Sequence, residues 1–261
     1  MIDKKKVNRN FSKGASTYDE YALIQRHMAE KLDIFIEGSE KVFNVLEIGC
    51  GTGIFSEKIL KKFPNSKIDF LDISSDMIKN MKEKIGTKEN LNYIVEDIEN
   101  YKPEKKYDFI FSNASFQWIH NQEGLFNHLY SILNFGGFIL FSTFGKDTYC
   151  ELRESLKAID PSLEYSQNFI SLKELKEIIQ DKYEILATEE ERVKEDYDCV
   201  MDFLKMIKGI GANSALSQSK PFTRDKFNRL EEEYRKNYCS GDSIEVTNHL
   251  IYMILGKSYQ K

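Results

Sequence analysis

Hydrophobic and polar positions alternate along the chain in two rhythms. From residue 42 to residue 144, short apolar runs of strand length are separated by stretches with helical spacing. Val42 to Ile48 reads as a buried strand, and Ile54, Phe55, Ile59 and Leu60 then fall at helical spacing until Pro64. Lys67 to Asp72, Asn92 to Glu96, Tyr107 to Ser112 and Gly137 to Phe144 read as four further strands. Ser74 or Ser75 is placed to cap a helix with Asp76 in its first turn. A helix from about Gln122 to Asn134 should end at Gly136-Gly137. Strands joined by short helical crossovers predict an α/β fold, Rossmann-like and doubly wound.

Outside this segment the rhythm changes. Residues 1 to 14 are polar and basic and suggest a solvated arm. Tyr21, Ile24, Met28, Leu32 and Phe35 then form a helical stripe within residues 15 to 36. Its leading edge, Ala15 to Asp19, either folds over a ligand as a lid or packs on the sheet edge. Beyond residue 145, Thr148-x-x-Glu151 and Ser171-x-x-Glu174 read as capping boxes. A strand is expected around Tyr183 to Val193, helices near Tyr197 to Ile210 and Thr223 to Tyr238, and a last strand from Ile244 to Leu255. The organisation predicted is an N-terminal arm and lid (1–38), a nucleoside-binding core (39–145), and the rest of a mostly parallel, seven-stranded sheet (146–261). Helices within about 197–240 form a cover.

Composition narrows the chemistry. The 261 residues are 41% hydrophobic and 30% charged, enough for one sizeable core. A net charge of −5 gives no global attraction for nucleic acid, and an acidic partner would need a local basic patch. Cys50, Cys150, Cys199 and Cys239 are far apart and contain no C-x-x-C pair, so free thiols are expected and structural zinc is not. No apolar stretch follows Met-Ile-Asp-Lys-Lys-Lys, and no run approaches the roughly 20 apolar residues of a membrane span. A cytoplasmic protein with no membrane partner is expected.

The most informative stretch is Glu47-Ile48-Gly49-Cys50-Gly51-Thr52-Gly53-Ile54. A strand running into a glycine turn and a helix bares backbone N–H groups beside a ligand. The dinucleotide fingerprint would need glycine at position 54, where a branched side chain stands, and no G-K-[ST] follows. NAD, FAD and a phosphate cradle are therefore disfavoured. A nucleoside ligand without phosphate, S-adenosylmethionine, fits better. Glu47, Asp72, Asp97 and Asn113 all fall at expected carboxyl ends of strands, where ligands sit in such sheets.

Glu47-x-Gly49-x-Gly51-x-Gly53, Asp72 and Glu96-Asp97-Ile98 resemble the motifs of class I S-adenosylmethionine-dependent methyltransferases over residues 42 to 144. The resemblance implies that Gly49 and Gly51 line the methionine part, that Asp72 accepts the ribose hydroxyls, and that Asp97 and Ile98 meet the adenine. Glu47, Cys50, Ile73, Met77 and Asn113 join them around the cofactor. Further segments are similar to one family within this group: Val7-x-x-x-Phe11-x-x-x-Ala15-x-x-Tyr18-Asp19 with Gln25, Ser112-Asn113-x-x-x-Gln117-Trp118, Phe141-Ser142-Thr143-Phe144 to Glu151-Leu152-Arg153, and Leu204-x-x-x-Lys208-Gly209-Ile210-Gly211-Ala212. These resemble malonyl-acyl-carrier-protein O-methyltransferases, which mask the malonyl carboxylate at the start of biotin synthesis. The implied reaction yields a methyl ester and S-adenosylhomocysteine. A small-molecule acid or quinone-type acceptor is the alternative.

Such an acceptor is already ionised, since carboxyl pKa values lie near ~4. It needs no general base, only in-line positioning, which can supply on the order of 7 kcal/mol. A buried cation or several donors should hold the carboxylate. The candidates are Lys208 and Lys146, which flank glycines, then Arg26 and Arg153, with the Tyr18 hydroxyl in support. Gln25 belongs to the same candidate substrate site. Trp118 and Phe116 either wall the acceptor channel or belong to the core. His120 is a candidate base or a structural histidine. An acyl carrier protein is acidic, so Lys205, Lys208, Lys220, Arg224, Lys226 and Arg229 in the cover are candidates for docking it.

Overall fold

In the computed structural model, residues 3–161, 169–212 and 223–257 are described. The core is an eight-stranded sheet. Its strands are β1 (Asn44–Ile48), β2 (Lys67–Asp72), β3 (Leu91–Val95), β4 (Tyr107–Ser112), β5 (Leu133–Phe144), β6 (Glu184–Tyr197), β7 (Cys239–Ser240) and β8 (Ser243–Gly256). The order is β3-β2-β1-β4-β5-β8-β6, with β7 paired to β8. The first five strands are parallel, whereas β8 runs antiparallel to both β5 and β6. The direction of winding reverses between β1 and β4, so a crevice opens at their carboxyl ends.

Helices α3 (Leu23–Ile34), α4 (Ser56–Lys62) and α5 (Ser75–Ile85) cover one face of the sheet through Met28, Leu32, Ile59 and Met81. Helices α6 (Gln122–Ile132) and α8 (Leu172–Ile179) cover the other through Phe126, Leu129, Leu175 and Ile179. A third apolar cluster joins α7 (Cys150–Ile159), α9 (Val200–Gly209) and α10 (Arg224–Tyr238) to the first residues of β8. Helices α9 and α10 fall within the 197–240 segment expected to be helical. Ser74 caps α5 by accepting from Met77 N at 3.3 Å, and Ser171 with Glu174 forms the expected capping box on α8.

The structure departs from the sequence expectations in several places. The arm is helical: α1 (Lys4–Gly14) is capped by Asp3, whose carboxylate accepts from Lys5 N and Lys6 N, and Val7 is buried. The stripe helix breaks at Ala22 into α2 (Tyr18–Tyr21) and α3. Thr148 and Glu151 form no capping box, because β8 competes for both. Thr148 Oγ1 donates to His249 O at 3.0 Å, and the Glu151 carboxylate accepts from Thr247 N at 3.1 Å. Helix α6 ends at Ile132 and β5 begins at Leu133, ahead of Gly136-Gly137. An eighth strand, the two-residue β7, joins the seven expected, and β6 extends to Tyr197.

Candidate functional site

Three neighbouring hollows that share lining residues lie at the carboxyl ends of β1 and β4. An outer cleft of about 670 Å³ is lined by Gly49, Gly51, Asp72, Ile73, Met77, Asp97, Ile98 and Asn113, with α1 contributing Lys4, Val7 and Phe11. An inner pocket of about 270 Å³ is lined by Glu47, Gly49, Cys50, Gly51, Gln25 and Asn113. A chamber of about 380 Å³ is lined by Phe11, Gln25, Gln117, Trp118, Phe144, Thr148, Tyr149, Phe169 and Ile210, among others. Tyr18 faces all three. The ten residues expected around a cofactor therefore line two adjoining hollows, eight in the outer cleft and Glu47 and Cys50 in the inner pocket.

Glycine is required at the floor of the cleft. Gly49 holds φ +66°, and any side chain there would overlap Ser115. Opposite it, each Asp72 oxygen accepts one backbone N–H, from Gly51 at 2.9 Å and from Ser74 at 2.8 Å. Burial pushes the Asp72 carboxyl above its usual range, and those backbone bonds oppose the shift. Glu47 is 1% exposed, and burial pushes its pKa up to about 8 despite a 2.5 Å hydrogen bond from Ser56 Oγ. No lysine or arginine forms an ion pair with either carboxylate among the described residues. The same burial, with Asp72 and Glu47 nearby, raises the Cys50 thiol, which stays protonated.

Helix α1 forms the roof. Lys4 Nζ pairs with Asp97 at 3.1 Å and Glu99 at 2.7 Å, and Asn8 Nδ2 donates to Ile73 O at 2.9 Å. Ser12 Oγ meets Ser74 Oγ at 3.0 Å. These contacts tie the arm to the loops after β2 and β3. The sequence signal for the roof was present in Asp3 as a cap, with Val7 and Phe11 one turn apart. Asn113 joins α3 to the sheet, donating to Gln25 O at 2.9 Å and accepting from Ser142 Oγ at 2.7 Å.

The proposed acceptor residues divide. Tyr18, Gln25 and Trp118 line the chamber. Phe116 does not; it is buried in the core against Phe126 and Phe141. His120, Lys146 and Lys208 are exposed and line none of the three hollows. The Arg26 guanidinium donates to Asp19 O at 2.9 Å and that of Arg153 to Lys146 O at 2.5 Å, so both turn to local backbone. No described residue lining the chamber carries a charge. In the cover, Lys205 pairs with Asp202 and Lys226 with Asp160, each at 2.7 Å, and Arg229 donates to Ile159 O. Arg224 and Lys208 remain exposed, and Lys220 lies outside the described residues.

The role of the second glycine motif was not legible in the sequence. Gly211, at φ +73°, packs so closely on Asn10 and Phe11 that an added Cβ would lie 2.8 Å from Asn10 O. Gly14 sits against Gly209 and Gly211 in the same way. Gly209 to Ala212 therefore fastens the cover to the roof.

Comparison with known proteins gives a consistent picture. A family model described as a methyltransferase domain matches residues 18–182. The chain is 83% identical over 259 residues to malonyl-[acyl-carrier protein] O-methyltransferase 2 of Ilyobacter polytropus, covering 99% of this chain and 100% of that one. It is 61% identical to O-methyltransferase 1 of the same organism, over 98% of this chain and 96% of that one. The corresponding Halalkalibacterium halodurans protein is 33% identical, over 97% and 98%. Among solved structures, the Bacillus subtilis YcgJ protein aligns with a TM-score of 0.62 at 15% identity, over 90% of this chain and 99% of that one. Haemonchus contortus phosphoethanolamine N-methyltransferase 2, solved with S-adenosyl-L-methionine, aligns at 0.58 and 18% identity, over 95% and 57%. These two likenesses show the fold.

Proposed function

The chain belongs to the malonyl-[acyl-carrier protein] O-methyltransferase family, and we infer that it transfers a methyl group from S-adenosylmethionine to the free carboxylate of malonyl-acyl carrier protein. The single structural observation that carries this is Tyr18, which faces the cleft, the inner pocket and the uncharged chamber together. A donor on one side and an acceptor on the other would meet there.

The residues present fit the cofactor. Glu47 is a buried carboxyl group with no cationic partner among the described residues, and the ammonium of a methionine moiety beside it would favour its ionised form. The Asp72 carboxylate borders the cleft while held by backbone N–H groups, and the ribose hydroxyls suit its remaining acceptor capacity. Asp97, Ile98, Ile73 and Met77 supply a mixed polar and apolar wall for the adenine. When bound, the cofactor supplies an electrophilic methyl group.

The protein's own share is orientation and exclusion of water. The roof helix lies over the cleft, and Trp118, Phe144 and Phe169 give the chamber apolar walls. The acceptor carboxylate is ionised at neutral pH, so no proton has to move. This agrees with the absence of a base among the described chamber residues. Tyr18 is no base: burial and the nearby Asp72 and Asp19 raise its pKa and keep the hydroxyl protonated as a donor.

No helix among the described residues is long and apolar enough to cross a membrane. The four cysteines are unpaired, which supports placement in a reducing compartment such as the cytoplasm, and esterification of the malonyl group supports a role at the start of biotin synthesis. The test offers labelled S-adenosylmethionine with malonyl- or acetyl-carrier protein. Label is expected in the malonyl form alone; label in both, or in neither, would overturn carboxyl methylation.

A further inference from the structure

The proposed function brings an anionic acceptor to the chamber, yet its described lining contains no lysine, arginine or histidine. Its free donors are neutral. Gln25 is 7% exposed, lines both the chamber and the inner pocket, and its side-chain amide has no hydrogen-bond partner among the described residues. The Tyr18 hydroxyl and the Trp118 indole N–H likewise lack described partners, and Trp118 is held edge-on against Phe11 at 5.2 Å. Other polar groups of the lining are already engaged. The Gln117 amide donates to Ala114 O at 2.6 Å and accepts from Thr143 Oγ1, and the Thr148 hydroxyl is bonded to His249 O. The Gln25 side chain borders both hollows, where a ligand can reach its amide.

We propose that Gln25, Tyr18 and Trp118 form a charge-neutral receiver for the acceptor carboxylate, so that the cation facing this carboxylate is the sulfonium of the methyl donor. This rests on the carboxyl-methylation assignment and deepens it. A protein cation in the chamber would stabilise the ionised acceptor more than the transition state, where that charge is disappearing. Neutral donors orient the oxygen and leave it nucleophilic. A carboxylate lone pair forms the new C–O bond while the methyl–sulfur bond breaks, its electron pair remaining on sulfur. The anion and the sulfonium both become neutral, and no proton is transferred. Acceptor binding is consequently coupled to the charge of the bound cofactor.

The coupling is measured without turnover. Malonyl-pantetheine is titrated calorimetrically into enzyme loaded with sinefungin, which carries an ammonium in place of the sulfonium, and into enzyme loaded with neutral S-adenosylhomocysteine. Malonyl-pantetheine is expected to bind at least tenfold more tightly to the sinefungin complex, while its methyl ester, which has no charge, shows less than a twofold difference. Equal affinity in the two complexes, or the same preference for the ester, overturns the proposal. In Gln25→Lys the added cation should tighten malonyl-pantetheine binding at least tenfold in both complexes and leave the ester within twofold. Unchanged affinity for malonyl-pantetheine in a folded Gln25→Lys protein would remove Gln25 from the receiver. If malonyl-carrier protein is methylated but the charge dependence is absent, the receiver fails and the enzymatic assignment stands.

Discussion

The Thr17 hydroxyl donates to the Gly209 carbonyl at 3.0 Å, joining residues 192 positions apart. Around this bond the roof and the cover meet backbone to backbone. Thr17→Val removes one hydrogen bond, worth about 1 kcal/mol. Gly211→Ala does more, because a side chain at φ +73° is strained by roughly 1–2 kcal/mol and its Cβ would press on Asn10 O. We expect Gly211→Ala to weaken S-adenosylhomocysteine binding at least tenfold and to speed proteolytic cleavage within α1, with Thr17→Val intermediate. Wild-type affinity and cleavage rate in Gly211→Ala would show that the contact does not hold the roof closed.

Asp72 holds the loops after β1 and β2 together through Gly51 N and Ser74 N. Asp72→Asn leaves one acceptor oxygen where there were two, and removes the charge we propose for the ribose. Hydrogen bonds to charged groups contribute about 1.5–3 kcal/mol each, so cofactor affinity should fall roughly 10- to 100-fold. The sheet core should remain intact by circular dichroism, because the carboxylate lies at its edge. Unchanged affinity for S-adenosylhomocysteine would take Asp72 out of the binding site.

The parallel strands, the crevice and the two inserted helices were legible because each is encoded locally, in apolar runs, glycine turns and caps. Glu47, Asp72, Asp97 and Asn113 could be gathered for the same reason, since the strand ends bring them together. Long-range competition was not legible. Thr148 and Glu151 have the spacing of a capping box, but the β8 backbone binds both. Lys208 and Lys146 flank glycines, yet those glycines make room for the Tyr21 and His249 rings, and the lysines are exposed. Helix α1 was hidden by its polarity, as only Val7 and Phe11 mark the side that covers the cleft.

Charge on the cover and on the roof should act differently. Lys226 and Arg229 fasten α10 to the end of α7 through Asp160 and Ile159 O. On α1, Lys5, Arg9 and Lys13 are exposed at four-residue spacing, and no acidic residue lies in the helix. We expect an acidic carrier protein to dock on this stripe. The triple change Lys5→Glu, Arg9→Glu and Lys13→Glu should raise KM for malonyl-carrier protein at least fivefold and leave that for malonyl-pantetheine within twofold. Lys226→Glu with Arg229→Glu should instead lower Tm by a few degrees. Selective loss with the carrier protein in the second pair, and none in the first set, would return docking to α10.

If Glu47 meets the cofactor ammonium, cofactor binding is expected to be linked to a proton. Its carboxyl is raised from near 4.5 to about 8 by burial, with Asp72 adding to the shift. Between these values the unfolded chain is ionised while the folded one keeps its proton, so the contribution of Glu47 to stability falls as pH rises from 4.5 through 8. Each pH unit of separation corresponds to about 1.4 kcal/mol. Glu47→Gln should therefore melt higher than wild type at pH 8.5 in the absence of ligand, and the gap should close towards pH 4.5. A cofactor ammonium beside Glu47 favours the ionised form. Binding S-adenosylhomocysteine at pH 7 should then release up to one proton, seen calorimetrically as a binding heat that depends on the ionisation enthalpy of the buffer. In Glu47→Gln the release should vanish and the affinity should drop. Identical buffer dependence in the two proteins would show that the proton comes from elsewhere and that Glu47 does not meet the ammonium.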